Sequence, residues 1–213
     1  METPPLTPIA GQDILFLMAA DQEYGAHLRA RITPVITGVG PVEGAVAATA
    51  AFAAAQAAGR RPALVVSLGS AGSARLDQGA VYQASEVAYR DMDATPLGFA
   101  RGVTPFLDLP AVLALPHRIP GVAQASLSTG ANIVSGTDYA DIAQDMVDME
   151  TYAILRACQR FDLPLVALRG ISDGARPLAG ITDWTDYLHV VDERLAQALE
   201  RMAEALATGW PAR

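Results

Sequence analysis

Residues 63–72 read ALVVSLGSAG, a nearly unbroken apolar run of strand length that ends in a glycine-bracketed polar turn. A strand covered on one face alternates apolar and polar residues, so a continuous run indicates cover on both faces. Comparable runs stand at 14–19 (ILFLMA), 32–37 (ITPVIT), 81–89 (VYQASEVAY) and 165–171 (LVALRGI). Helical patterns fall around 21–30, 43–58, 150–161 and 184–207. The alternation predicts one α/β domain over residues 13–208, with a largely parallel or mixed sheet and helices on both sides. Residues 1–12, which include Pro4, Pro5 and Pro8, read as an N-terminal tail. The Ala-rich stretch 45–58 predicts a helix, with Gly59 as its C-terminal cap and Pro62 just beyond.

Polar residues collect after three of the apolar runs. ILFLMA leads into Ala20-Asp21-Gln22-Glu23, ALVVSLG into Ser70-Ala71-Gly72-Ser73, and LVALRGI into Ser172-Asp173-Gly174-Ala175. In open α/β sheets the carboxyl edge is where loops diverge and ligands bind. Glu23, the Ser70–Gly72 loop and Asp173 are therefore expected at one crevice.

Composition excludes several partner classes. The 213 residues carry 23 Asp and Glu against 15 cations, every one of them Arg, for a net charge of −8. Polymeric nucleic acid is recognised by clustered cations that displace phosphate counterions, and scattered Arg in an acidic chain supplies none. Cys158 is the one cysteine, and His27, His117 and His189 lie far apart, so neither a disulfide framework nor a metal site is expected. The start METPPLTPIAGQD lacks the cationic and apolar regions of a signal peptide, and the 45–58 run is too short and weakly apolar to span a bilayer. A cytoplasmic chain without a membrane partner is the expectation.

Individual residues leave alternatives open. Gly38-Val39-Gly40 and Gly69-Ser70-Ala71-Gly72 match neither a dinucleotide fingerprint nor a Walker loop. They serve as tight turns, or as places where backbone N–H groups approach a ligand. Asp173 in a Ser-Asp-Gly turn either caps nearby N–H groups or acts as a general acid whose pKa is raised by burial. Glu23 and Glu150 stand in first turns of predicted helices, where an acid complements the helix dipole. Glu150 is also suited to accept both hydroxyls of a vicinal diol such as ribose. Arg169 sits inside an apolar strand, where a cation is costly unless paired, so Glu150 or Glu23 is expected beside it.

Six segments, in order, carry a resemblance: Ala19–Glu23, Thr37–Val42, Ser67–Gly72, Tyr89–Thr95, Val147–Glu150 and Arg169–Asp173. Together, over about residues 14–206, they resemble the purine nucleoside and uridine phosphorylase superfamily, in its 5′-methylthioadenosine/S-adenosylhomocysteine nucleosidase branch. The resemblance implies a three-layer α/β/α sandwich that hydrolyses the N-glycosidic bond of an adenine nucleoside without cofactor or metal. It implies that Asp173 protonates adenine N7, that Glu23 orients or deprotonates water, and that Glu150 accepts the ribose hydroxyls while ionised. Arg169 matches a residue near the water and carboxylates, Met149 one packed on the sugar, and Ser70, Ala71 and Gly72 the loop lining base and sugar.

Val39, Ile133 and Ser172 complete the implied substrate site. The family usually has Met where Ala20 stands and aromatics where Leu97 and Asn132 align, so Phe99 and Trp184 are expected to supply apolar wall instead. The segment between Phe106 and Ser126 is shorter than the family leads one to expect. These departures leave open the 5′-group, including an adenosyl-lipid or futalosine type of substrate, phosphorolysis, or nucleoside binding without turnover. The first loop has no cation before Arg29, and its acids repel phosphate, which favours water as the nucleophile. Relatives complete the 5′-pocket from a neighbouring subunit through the region matching Leu97–Phe106, which implies a homodimer.

Overall fold

The computed structural model describes residues 2–174, 176 and 180–210. In chain order it has strands β1 (Thr7–Ile9) and β2 (Gln12–Met18), helix α1 (Ala26–Arg29), β3 (Val35–Ile36) and α2 (Pro41–Ala57). Then come β4 (Leu64–Ser73), β5 (Val81–Tyr89), β6 (Val112–Ala114), β7 (Gln124–Thr129), β8 (Met146–Asp148) and α3 (Thr151–Arg160). Strand β9 (Leu165–Gly174) and helices α4 (Ile181–Thr185) and α5 (Leu188–Ala207) complete it.

Strands β2, β4 and β9 are mutually parallel neighbours at the centre of a mixed sheet. Their continuous apolar character has the expected cause. Ile14, Phe16, Met18, Leu64, Val66, Leu68, Val166 and Leu168 pack with Leu28 of α1 and Val191, Leu195, Leu199 and Met202 of α5. The alternate residues Leu15, Leu17, Val65, Leu165 and Ala167 pack with Ala48 and Phe52 of α2 and Ile154, Leu155 and Cys158 of α3. Helices thus cover both faces, giving the three-layer α/β/α sandwich. Beyond this centre, β5 pairs with β9, β7 with β5, and β8 with β7. Strand β8 also reaches β4 through Gly72 and Val147, so these five strands close on themselves.

Several elements depart from the expected boundaries. Residues 7–9, within the expected tail, form β1 and pair antiparallel with β2. The helix expected over 21–30 is a 3-10 turn at Asp21–Glu23 followed, after Gly25, by the four residues of α1. The apolar run 32–37 contributes two ladder residues, Val35 and Ile36, because Pro34 has no N–H to donate. Helix α2 ends as expected: Arg60 N–H bonds back to the Ala55 carbonyl across Gly59. Among the described residues, no helix is long and apolar enough to cross a membrane.

Candidate active site

A cavity of about 660 Å³ opens at the carboxyl ends of β2, β4 and β9. Ala20, Glu23, Val39, Ser70, Ala71, Gly72, Asn132, Ile133, Met149, Glu150, Asp173 and Trp184, all expected from the sequence, line it. The size suits a nucleoside-sized ligand.

Glu23 is delivered by the turn after β2 and is 6% exposed. Its Oε1 accepts from Ser70 N–H at 2.7 Å and Ser70 Oγ–H at 2.6 Å, while its buried Oε2 has no partner among the described residues. Burial pushes its pKa up, and the two Ser70 bonds and the Arg169 charge pull it back. The result is a carboxylate with one oxygen anchored and one spare.

Glu150 stands at the N-cap of α3, with Oε1 accepting the Gly40 N–H at 2.8 Å. Gly40 has φ +102°, a conformation that side chains disfavour, and this aims its N–H at the carboxylate. Burial, reinforced by neighbouring Asp148, pushes the Glu150 pKa up to about 7. The Gly40 bond and Arg169 oppose the rise. The rise runs against the expectation that Glu150 is held ionised.

Asp173, near the end of β9, is half-buried on the cavity wall and accepts from Ser172 Oγ–H at 2.7 Å. Burial raises its pKa, against the Ser172 bond. Ser172 itself is fully buried and lies behind the lining.

Arg169 is paired, but not with Glu23 or Glu150. Its Nη2 meets Asp148 Oδ2 at 2.9 Å, and Nε meets the same oxygen at 3.1 Å. The remaining N–H groups reach the Ser67 and Leu168 carbonyls, Ser67 Oγ and Thr151 Oγ1. Asp148 also accepts from Thr129 Oγ1 and the Thr151 N–H, which ties β7, β8 and α3 together. The guanidinium is 2% exposed and lies outside the cavity lining. Asp148, backbone carbonyls and two hydroxyls occupy its donors, and its charge pulls the pKa values of Glu23 and Glu150 down.

Leu97 and Phe99 do not line the cavity. Leu97 is 73% exposed, and Phe99 packs edge-on to Phe106, itself 91% exposed. Both lie in the segment that follows β5.

Lining residues not foreseen include Ala19, Arg90, Val134, Ser135, Val147 and Asp148. Arg90 donates to the carbonyls of Ser128, Gly130, Asn132 and Asp148 and to Asn132 Oδ1, pinning the turn that carries Asn132 and Ile133. The signal available for it was a lone cation directly after an apolar strand. Tyr139 Oη is buried beside Gly72 and Asp173 without a partner among the described residues.

A doubly covered sheet with acidic side chains gathered at its carboxyl edge defines the class, and residues 134–208 match the Phosphorylase superfamily. The 5′-methylthioadenosine/S-adenosylhomocysteine nucleosidase of Actinobacillus succinogenes is 30% identical over 164 residues, 68% of this chain and 69% of that protein. The enzyme of the same name from Haemophilus influenzae is 30% identical over 188 residues, 80% of each chain. The chain belongs to the 5′-methylthioadenosine/S-adenosylhomocysteine nucleosidase family. Its fold matches the Colwellia psychrerythraea nucleosidase solved with adenine, with a TM-score of 0.75 at 22% identity over 96% of this chain and 98% of that one. It also matches the futalosine hydrolase of Helicobacter pylori, with a TM-score of 0.75 at 18% identity over 90% and 97%.

Proposed function

We propose that the chain hydrolyses the N-glycosidic bond of a 5′-modified adenine nucleoside, 5′-methylthioadenosine or S-adenosylhomocysteine, releasing adenine. One observation carries the reading: a cavity-lining carboxyl with a raised pKa, Asp173, shares its cavity with a carboxylate, Glu23, that has one oxygen anchored and one spare. Cleavage of a C–N glycosidic bond builds oxocarbenium charge on ribose and negative charge on the base. Protonated Asp173 gives its proton to purine N7, so adenine leaves neutral. Glu23 Oε2 takes a proton from water as that water attacks C1′. Glu150 accepts the ribose hydroxyls, with Met149 against the sugar. The Glu23 and Glu150 carboxylates stabilise the cationic sugar, and Arg169, behind them, keeps both acids from being fully neutralised by burial.

The reading extends to assembly. A homodimer, in which the exposed Leu97–Phe106 segment covers the 5′-side of a neighbour's cavity, is supported by the exposure of Leu97 and Phe106. A reducing, cytoplasmic setting belongs to the same proposal and suits the single buried thiol, Cys158. The test is incubation with 5′-methylthioadenosine, S-adenosylhomocysteine and futalosine, each with and without phosphate, followed by base quantification. Adenine release independent of phosphate from the first two is expected. Preference for futalosine would reassign the 5′-group, which the small Ala20 and polar Asn132 on the cavity wall make worth measuring.

A further inference from the structure

Glu23, Ser70 and Trp184 form a hydrogen-bond chain whose direction is fixed by donor chemistry. Trp184 Nε1 lies 2.9 Å from Ser70 Oγ, and an indole nitrogen donates only. The serine oxygen therefore accepts from the indole, and its single proton is directed to Glu23 Oε1 at 2.6 Å. The Ser70 N–H meets the same carboxylate oxygen at 2.7 Å. Oε1 thus holds two donors while the buried Oε2 holds none among the described residues. A phenyl ring at 184 would preserve an apolar wall yet leave the serine hydroxyl free to rotate and donate elsewhere.

We propose that Trp184 is a positioning residue for Glu23, its indole N–H locking the Ser70 proton onto Oε1 so that Oε2 is left to receive the proton of the attacking water. Trp184 belongs to α4, whereas Ser70 belongs to β4, so the water-directing carboxylate is fully oriented only when α4 is seated on the sheet edge. The sequence assigns Trp184 an apolar wall; the bond to Ser70 adds a polar duty that shape alone does not supply. The proposal rests on the N-glycosidase reading above. The charged groups that act on Glu23 are Arg169 from β9 and Glu150 at the start of α3, with Asp148 of β8 paired to Arg169 behind them. All three are common to the wild type and a Trp184 variant, so a difference between the two proteins reports the indole.

The test is a double-mutant cycle of Trp184→Phe, Ser70→Ala and the pair, with thermal midpoints recorded to establish that each folds. Removing one neutral donor from a buried chain is expected to lower kcat about fivefold with KM changed by less than about twofold. The acid limb of the kcat profile should move to higher pH, because ionised Glu23 loses a directed donor. In the Ser70→Ala background the same Trp184→Phe exchange should change kcat by less than about twofold. An equal loss in both backgrounds would overturn the proposal and assign Trp184 to wall shape alone.

A second measurement does not depend on turnover. In protein labelled with ¹⁵N at the indoles, the Trp184 Nε1–H resonance should move in Ser70→Ala while that of Trp210 stays. An unmoved resonance overturns the bond even in an active enzyme. An inactive wild type with a moving resonance overturns the glycosidase reading, and the catalytic half of the proposal with it, while the bond stands.

Discussion

Glu150→Gln should make the protein more stable and less active, and the gain should depend on pH. Burial raises the Glu150 pKa from 4.5 to about 7. Below about pH 4.5 the carboxyl is protonated in folded and unfolded chains alike and makes no difference. Between 4.5 and 7 the unfolded chain releases the proton while the folded chain retains it, so stability falls as pH rises. Above 7 the full cost of holding the buried carboxylate is present, about 3 kcal/mol at 1.36 kcal/mol per tenfold change in proton affinity. The amide oxygen of Gln can still accept the Gly40 N–H, so the variant sheds the charge without losing that bond. At pH 8 its Tm should exceed that of the wild type by roughly 6 to 12 °C for a chain of this length, and the gap should close near pH 4.5. Differential scanning calorimetry across pH 4.5–8 measures it, and kcat/KM should fall at least about 100-fold, because the diol loses a full acceptor. A variant no more stable than the wild type at pH 8, or equally stabilised at both ends, would refute the reasoning.

Other outcomes follow from the same geometry. Asp173→Asn, unable to give a proton, should lose about 10²- to 10⁴-fold in kcat while retaining adenine binding by calorimetry. Arg169→Met leaves Asp148 buried without its counter-charge and should cost about 3–5 kcal/mol in urea unfolding, with part recovered on adding Asp148→Asn. A methyl on Gly72 would sit 2.2 Å from Tyr139 Oη and 2.9 Å from Asp173 Oδ2, so Gly72→Ala should destabilise by about 1–3 kcal/mol. Adding Tyr139→Phe should restore most of that loss, since the hydroxyl it removes is buried without a partner.

What could be read from the sequence follows from how locally each feature is determined. Strands β2, β4 and β9 are legible because cover on both faces makes their central positions nearly all apolar, and the three polar turns that follow them mark where the cavity opens. Strand β8 is three residues, MVD, and β7 reads QASLST, neither with such a run, while the short apolar run AVLAL around β6 is bounded by Pro110 and Pro116. That Arg169 needs a counter-charge is evident from its own strand, whereas the partner that supplies it is not local. Asp148 comes to it from a strand that pairs with β4 at one position, and nothing within LVALRGI distinguishes that carboxylate from Glu150 two residues on. Arg90 stands in the Tyr89–Thr95 segment, but its place at the cavity is not legible there, because its partners are mostly backbone carbonyls, which leave no trace in residue types. Leu97 and Phe99 were assigned from the resemblance to a pocket wall, and within one chain they lie outside it.

In the proposed reaction water, directed by Glu23 and assisted by proton donation from Asp173, is the nucleophile that displaces adenine. Turnover of 5′-methylthioadenosine in H₂¹⁸O containing phosphate, with products resolved by mass spectrometry, tests it most directly. Adenine and a free 5-methylthioribose bearing ¹⁸O at C1, formed at a rate indifferent to phosphate, are the expected products. A sugar 1-phosphate formed in proportion to phosphate would contradict it.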